Sequence, residues 1–160
     1  MVDPHNALLS LQDALKDGLV KMQPGALDHD LWFHLDYPNG KTRMTYAYMD
    51  AQTVTAFANL APTDPFEEKP CFQIGYAVGE AYRGQGLAKK VVKSALAEVS
   101  NGLARNGSEG FFVEASVSVN NTPSLKVAEF IFGNPVHDGV DENTGENVKI
   151  FRMSFDQTEQ

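Results

Sequence analysis

The sequence predicts a mixed α/β fold, a sheet flanked by helices, on three observations. Residues 73–103 read as a strand, a glycine-rich turn and an amphipathic helix in succession. Strand-like and helical runs alternate through the middle of the chain, and hairpin signals stand near both ends. Hydrophobic content of 42% with ten phenylalanines is enough for one buried core in 160 residues.

Taken in order, residues 5–20 predict a helix, with Leu8, Leu11, Ala14, Leu15 and Leu19 spaced by three and four. Pro24-Gly25 breaks the chain. Residues 31–37 and 42–49 are strand-like, and Pro38-Asn39-Gly40 between them is a hairpin turn, since Asn-Gly accepts positive φ. Residues 53–60 make a third strand, rich in Val, Thr and Phe. A polar loop containing Pro62, Pro65 and Pro70 then leads to the central strand, Ile74 to Val78.

The turn from Gly79 to Gly86 opens a helix whose apolar stripe is Leu87, Val91, Val92, Ala95, Leu96, Val99 and Leu103. A loop at Asn106-Gly107-Ser108 follows. The strand over 111–119 alternates, with Phe111, Val113, Ala115, Val117 and Val119 on one side and Phe112, Glu114, Ser116 and Ser118 on the other. Residues 123–132 predict a short helix with Pro123 in its first turn. Asn143-Thr144-Gly145 turns the chain into a last strand over 148–155. There is no internal repeat or interdomain linker, so residues 1–160 read as a single domain.

Charge narrows the partners. A net charge of −8 and a pI near 4.9 exclude nucleic acid and anionic membrane as main partners, because both require a basic face. They suit a cationic acceptor, and equally a plain acidic surface. Cys71 is the one cysteine, which excludes an internal disulfide and points to a reducing cytoplasm. Beside Phe72 it reads as a core thiol rather than a nucleophile. No signal peptide and no membrane-spanning apolar run is legible. The four histidines, at 5, 29, 34 and 137, have no metal-ligand spacing, so no metal is expected.

The chemistry concentrates where the central strand meets the long helix. The first N–H groups of a helix have no intrahelical partner, and the helix dipole is positive there. Gly84 and Gly86 keep side chains away from those amides, and Arg83 adds a charged fork, so this corner reads as an anion site. A Walker loop is excluded because Gly-Lys-Ser/Thr is absent, and a dinucleotide fingerprint because Lys89 stands where a third glycine would be needed.

Arg83-Gly84-Gln85-Gly86-Leu87-Ala88 resembles the pyrophosphate signature of the GNAT superfamily of N-acetyltransferases, Arg/Gln-x-x-Gly-x-Gly/Ala. Val113-Glu114-Ala115, Asn121-x-x-Ser124 and Val127-Ala128-Glu129 are similar to its second signature region, with the spacing of the RimJ/RimL type of ribosomal-protein acetyltransferase. The tail, Gly139-Val140 through Phe151-Arg152, is similar to that branch's closing hairpin.

The resemblance spans about residues 70–155 and implies a GNAT-like mixed, mostly antiparallel sheet. It further implies direct acetyl transfer from acetyl-CoA to a primary amine, either a protein N-terminus or a small molecule. A homodimer is compatible with it. It implies cofactor binding by Arg83, Gly84, Gly86, Leu87 and Ala88 at the pyrophosphate. Backbone groups of Tyr76, Ala77 and Val78 would face the thioester while the Tyr76 and Val78 side chains pack in the core, and Asn121 would face the pantetheine or cap a helix.

Ser124 is the candidate proton donor to the departing thiolate, and a local helix-end hydrogen bond is its structural alternative. Glu114 is the candidate base, with Glu80, Glu68 and an ordered water as alternatives, and a solvated sheet-face carboxylate as the structural one. Two departures stand out. Ala128 occupies the position where many members carry a tyrosine acid, and the chain opens with a helix where members open with a strand followed by helices that wall the acceptor site. The first departure motivates a rival reading, a non-catalytic acyl-CoA-binding sensor or scaffold.

Overall fold

The computed structural model describes residues 3–157. Helix α1, Pro4–Lys16, starts where Asp3 accepts the amides of His5 and Asn6 and Pro4 sits in the first turn. It ends before residue 20, because the chain turns at Asp17-Gly18 and Leu19 N–H closes on the Ala14 carbonyl. Leu19 is consequently exposed rather than part of the apolar stripe.

Among the described residues eight strands form one sheet in the order β1-β2-β3-β4-β5-β6-β8-β7. They are β1 Gln23–Pro24, β2 Leu31–Asp36, β3 Arg43–Asp50, β4 Thr53–Phe66, β5 Lys69–Val78, β6 Gly110–Ser118, β7 His137–Val140 and β8 Asn147–Asp156. All pairings are antiparallel except β5 with β6. The expected mixed, mostly antiparallel sheet is therefore observed. The β2–β3 hairpin turns through a short 3-10 turn, Pro38–Gly40, with positive φ at Asn39 and Gly40, and a paired Asp36 and Arg43 close it.

Two strands are longer than the sequence suggests. The proline-containing stretch is no loop: β4 and β5 remain paired through Pro62 with Phe72 and Thr63 with Cys71, to a bulge before Phe66. The reason is an edge. β3 stops pairing with β4 at Leu60, so beyond it one side of β4 carries no ladder and a proline sacrifices nothing there. The short β1 is a further addition, paired with β2.

Helices α2, Leu87–Arg105, and α3, Thr122–Phe132, cover one face of the sheet. Val91, Val92, Ala95, Leu96 and Val99 of α2 are buried against Phe111, Val113, Ala115 and Val117 of β6, the apolar side that alternation assigned. Helix α1 covers the opposite face, packing Leu8 on Ala47, Val54 and Phe57, with Ala77 at the margin. Glu98 ties α2 to the loop before β2, accepting the amides of Ala26, Leu27 and Asp28 at 2.8–2.9 Å. Among the described residues no helix is long and apolar enough to cross a membrane.

Candidate functional site

The parallel pair opens into a cleft. β5 and β6 stay in register over Cys71–Phe112, Phe72–Val113 and Gln73–Glu114, and no further. Past that point β5 remains tied to β4 as far as Val78, and β6 remains tied to β8 as far as Ser118. Each arm of the V is thus fixed along its outer edge and unpaired along its inner one. Backbone groups on such an inner edge need a partner from water or a ligand.

Gly79 N–H donates to the Thr55 carbonyl on β4 at 2.8 Å. By the two-residue alternation of a strand, the N–H groups of Tyr76 and Val78 therefore face the opening. The Val78 carbonyl accepts from Arg83 Nε at 3.4 Å.

The resulting cleft has a volume of about 750 Å³ and continues into a second space of about 470 Å³ where the strands converge. At its mouth, a 3-10 turn, Glu80–Tyr82, leads into the glycine-rich corner. Gly84 and Gly86 have φ of +79° and +75°, left-handed backbone that glycine adopts without strain. A Cβ added at either would meet open space rather than protein. Gly86 is the N-cap of α2 and no side chain caps this end. The first amides of α2, at Leu87, Ala88 and Lys89, are left free to hold an anion, and all three residues line the cleft with Arg83.

Every residue expected at the cofactor lines this one cleft: Tyr76, Ala77, Val78, Arg83, Gly84, Gly86, Leu87, Ala88 and Asn121. Ser124 lies there too, at the start of α3. Asn121 is the N-cap of that helix, its Oδ1 accepting the Ser124 amide at 3.2 Å, so its carbonyl serves the helix while its residue borders the cleft. The Ser124 hydroxyl donates to the Tyr76 hydroxyl at 3.1 Å, and that phenol donates to the Ser124 carbonyl at 2.9 Å. Burial raises the Tyr76 pKa above the usual phenol value, against the opposing hydrogen bond from Ser124. Ala128 is fully buried in the core cluster against which Tyr76 also packs. The phenol that meets Ser124 thus comes from β5 rather than from α3, and Tyr82 of the 3-10 turn also lines the cleft.

Glu114 is not brought to the cleft. It stands directly opposite Arg152 on β8, and its carboxylate accepts from that guanidinium at 2.8–2.9 Å. Arg152 in turn lies 3.9 Å from the centre of the Phe66 ring. Alternation gave the correct face but not the cross-strand cation that occupies it. Glu68 is in the β4–β5 turn, at positive φ, and Glu80 is in the 3-10 turn; neither lines the cleft. Cys71 is a buried thiol, and burial, then the nearby Glu114 charge, push it up to about 11 against a partial offset from Arg152. Among the described residues no group of His, Cys, Asp or Glu is placed to hold a metal.

Sequence reading missed one contributor. Asp3, Pro4 and His5, at the N-terminal end of α1, also line the cleft, from the face opposite α2 and α3. Carboxylates of Asp141 and Glu146, on the β7–β8 hairpin, border it as well.

Residues 20–131 match the model of the acetyltransferase (GNAT) domain. A comparison with curated protein sequences gives no match. In fold, the chain is similar to RimL, the ribosomal L7/L12 α-N-protein acetyltransferase, at 14% identity and a TM-score of 0.54, covering 71% of this chain and 61% of that one. It is similar to ribosomal-protein-S5-alanine acetyltransferase from Vibrio fischeri at 12% identity and a TM-score of 0.60, covering 97% and 72%. It is also similar to yncA from Salmonella typhimurium, solved with its cofactor acetyl-CoA, at 15% identity and a TM-score of 0.52, covering 75% and 66%. The chain thus spans less than two thirds of the length of RimL, and α1 lies before the matched region.

Proposed function

This chain belongs to the GNAT acetyltransferase family, and on that premise we propose that it transfers an acetyl group from acetyl-CoA directly to a primary amine. The acceptor in this proposal is a protein N-terminus or a small-molecule amine. One observation carries it: the β5–β6 opening ends at the free amides of α2, so an extended amide arm and a diphosphate find partners in one continuous cleft. Gly84 and Gly86 both line this corner, and an added Cβ at either meets no protein atom within 4 Å, so the space beside the α2 amides is open to a diphosphate.

Acetyl-CoA, when bound, supplies an acyl carbon activated as a thioester. The chain's residues do the rest. Amides of Leu87 and Ala88 and the Arg83 guanidinium hold the diphosphate. The inward N–H groups of Tyr76 and Val78 bond the pantetheine amides or polarise the acyl oxygen; one such aimed donor lowers the barrier by about 3 kcal/mol. The Ser124 and Tyr76 hydroxyls, 3.1 Å apart, are the proton donors for the leaving sulfur once the Tyr76 O–H turns away from the Ser124 carbonyl it now serves. No nucleophilic side chain is required, in keeping with the inert Cys71.

The test is a thiol-release assay with a panel of peptides bearing free N-termini and of alkyl amines, alongside calorimetric titration with acetyl-CoA. Binding with amine-dependent thiol release is expected. Tight binding with no release on any amine would replace this reading with the sensor or scaffold, which the alanine at 128 favours. No binding would remove both.

A further inference from the structure

We infer that His5, at the first turn of α1, is the base that takes the proton from the attacking amine. The inference rests on the transferase reading above. His5 belongs to a helix outside the residues matched to the family, so no family pattern assigns it a role.

Three observations converge on it. His5 lines the same cleft as Tyr76, Ser124 and the α2 amides. It comes from the face of the sheet opposite the cofactor corner, since α1 packs on Val54, Phe57 and Ala77 while α2 and α3 pack on the other side. An acceptor approaching from that face would pass the imidazole before meeting an acyl carbon held between β5 and β6. Finally, Nδ1 of His5 is shut off from solvent and has no hydrogen-bond partner. A buried polar atom left unpaired costs roughly 1–3 kcal/mol, and a catalytic role is one of the few reasons for a fold to keep one.

Its surroundings suit a cationic acceptor. Asp3 stands two residues away in the same cleft lining, its carboxylate fixed by the His5 and Asn6 amides. Asp141 borders the cleft from the β7–β8 hairpin. Glu114, the carboxylate that the strand pattern favoured, is held in its ion pair with Arg152.

The step balances. An N–H bond of the primary ammonium breaks and an N–H bond forms on the His5 ring, leaving the nitrogen lone pair free. That pair forms the new bond to the thioester carbonyl carbon, and the C–S bond breaks with its electrons going to sulfur. The second amine proton reaches sulfur through the Ser124 and Tyr76 hydroxyls. The His5 proton passes to solvent after the acetylated product leaves and water enters the emptied cleft.

The experiment compares the whole wild-type chain with His5→Gln, which keeps polarity and removes proton acceptance. The substrate is whichever primary amine of the panel the wild type acetylates fastest. Expected are a fall in kcat of about 100-fold, the low end for loss of a general base, little change in KM for the amine, and partial recovery with added imidazole. Acetyl-CoA affinity and thermal midpoint stay at wild-type values. Independently of turnover, the His5 ring resonances shift when ethylammonium is added to the coenzyme A complex of the wild type.

Wild-type turnover in His5→Gln, or unmoved ring resonances, would overturn the role of His5 and leave the transferase reading intact. A wild type that binds acetyl-CoA yet acetylates nothing would overturn both. A loss of kcat matched by a collapsed thermal midpoint, with no imidazole recovery, would make His5 a structural residue.

Discussion

Gly86→Glu separates the cofactor corner from the fold that carries it. The substituted side chain starts in open space, with no atom within 4 Å of an added Cβ. Its folding penalty is therefore the left-handed backbone at φ +75°, about 1–2 kcal/mol, or a thermal midpoint lower by roughly 2–8 °C. The binding penalty is larger. A carboxylate about 5 Å from a doubly charged diphosphate is opposed by about 1.7 kcal/mol even at the dielectric of water. Salt reduces this and the drier cleft increases it. Occlusion of the α2 amides adds to the charge effect, so acetyl-CoA should bind at least about tenfold more weakly. Calorimetric titration reads this directly, on protein shown by circular dichroism to be folded. Gly102→Glu is the control. It makes the same charge change further along α2 without crowding any neighbour, about 24 Å away. That exceeds the screening length of about 8 Å, and affinity should not move. Equal acetyl-CoA affinity in Gly86→Glu and wild type would refute the anion site at this corner.

Other predictions test the surrounding structure. Glu98→Ala strands the three amides of Ala26, Leu27 and Asp28 beneath α2 and should destabilise the chain by about 3 kcal/mol, a thermal midpoint lower by roughly 6–12 °C; an unchanged midpoint would contradict it. Tyr76→Phe and Ser124→Ala each remove one hydroxyl of the pair and should lower kcat by about tenfold or more with little effect on acetyl-CoA affinity; because the hydroxyls act as one unit, the double variant should be little worse than either single one. Cys71, raised from 9.0 to about 11 by burial, should resist thiol reagents at pH 8 until the chain unfolds. Its sign is that of a folded state favouring the protonated thiol. The associated stability is complete below pH 9.0 and lost as pH rises toward about 11, which a series of melts between pH 8 and about 11 would follow.

Local pattern carried much of this molecule. The stripe from Leu87 to Leu103 marked α2 and its buried face. The alternation from Phe111 to Ser118 assigned the core side of β6 correctly. The glycine-rich corner was legible because a strand, two glycines and a helix in series leave amides unpaired whatever the rest of the chain does. What stayed hidden depends on partners distant in sequence. The prolines of β4 suggested a loop, since nothing local shows that β3 ends at Leu60 and frees that edge. Glu114 looked available because its partner Arg152 lies on another strand. Tyr76 was legible for its backbone and not for its phenol, since its hydroxyl meets Ser124 only once α3 folds across β5. His5 left no trace beyond the Asp3-Pro4 start of its helix, because only packing of α1 on β4 and β5 carries that end to the cleft.

The decisive measurement is a crystal structure of the chain with coenzyme A bound. The diphosphate should sit on the amides of Leu87 and Ala88, and the pantetheine arm should lie between Tyr76–Val78 and Ser116–Ser118, bonded to the inward edge of β5. Coenzyme A bound elsewhere, with the β5–β6 opening filled by side chains or closed, would contradict this placement.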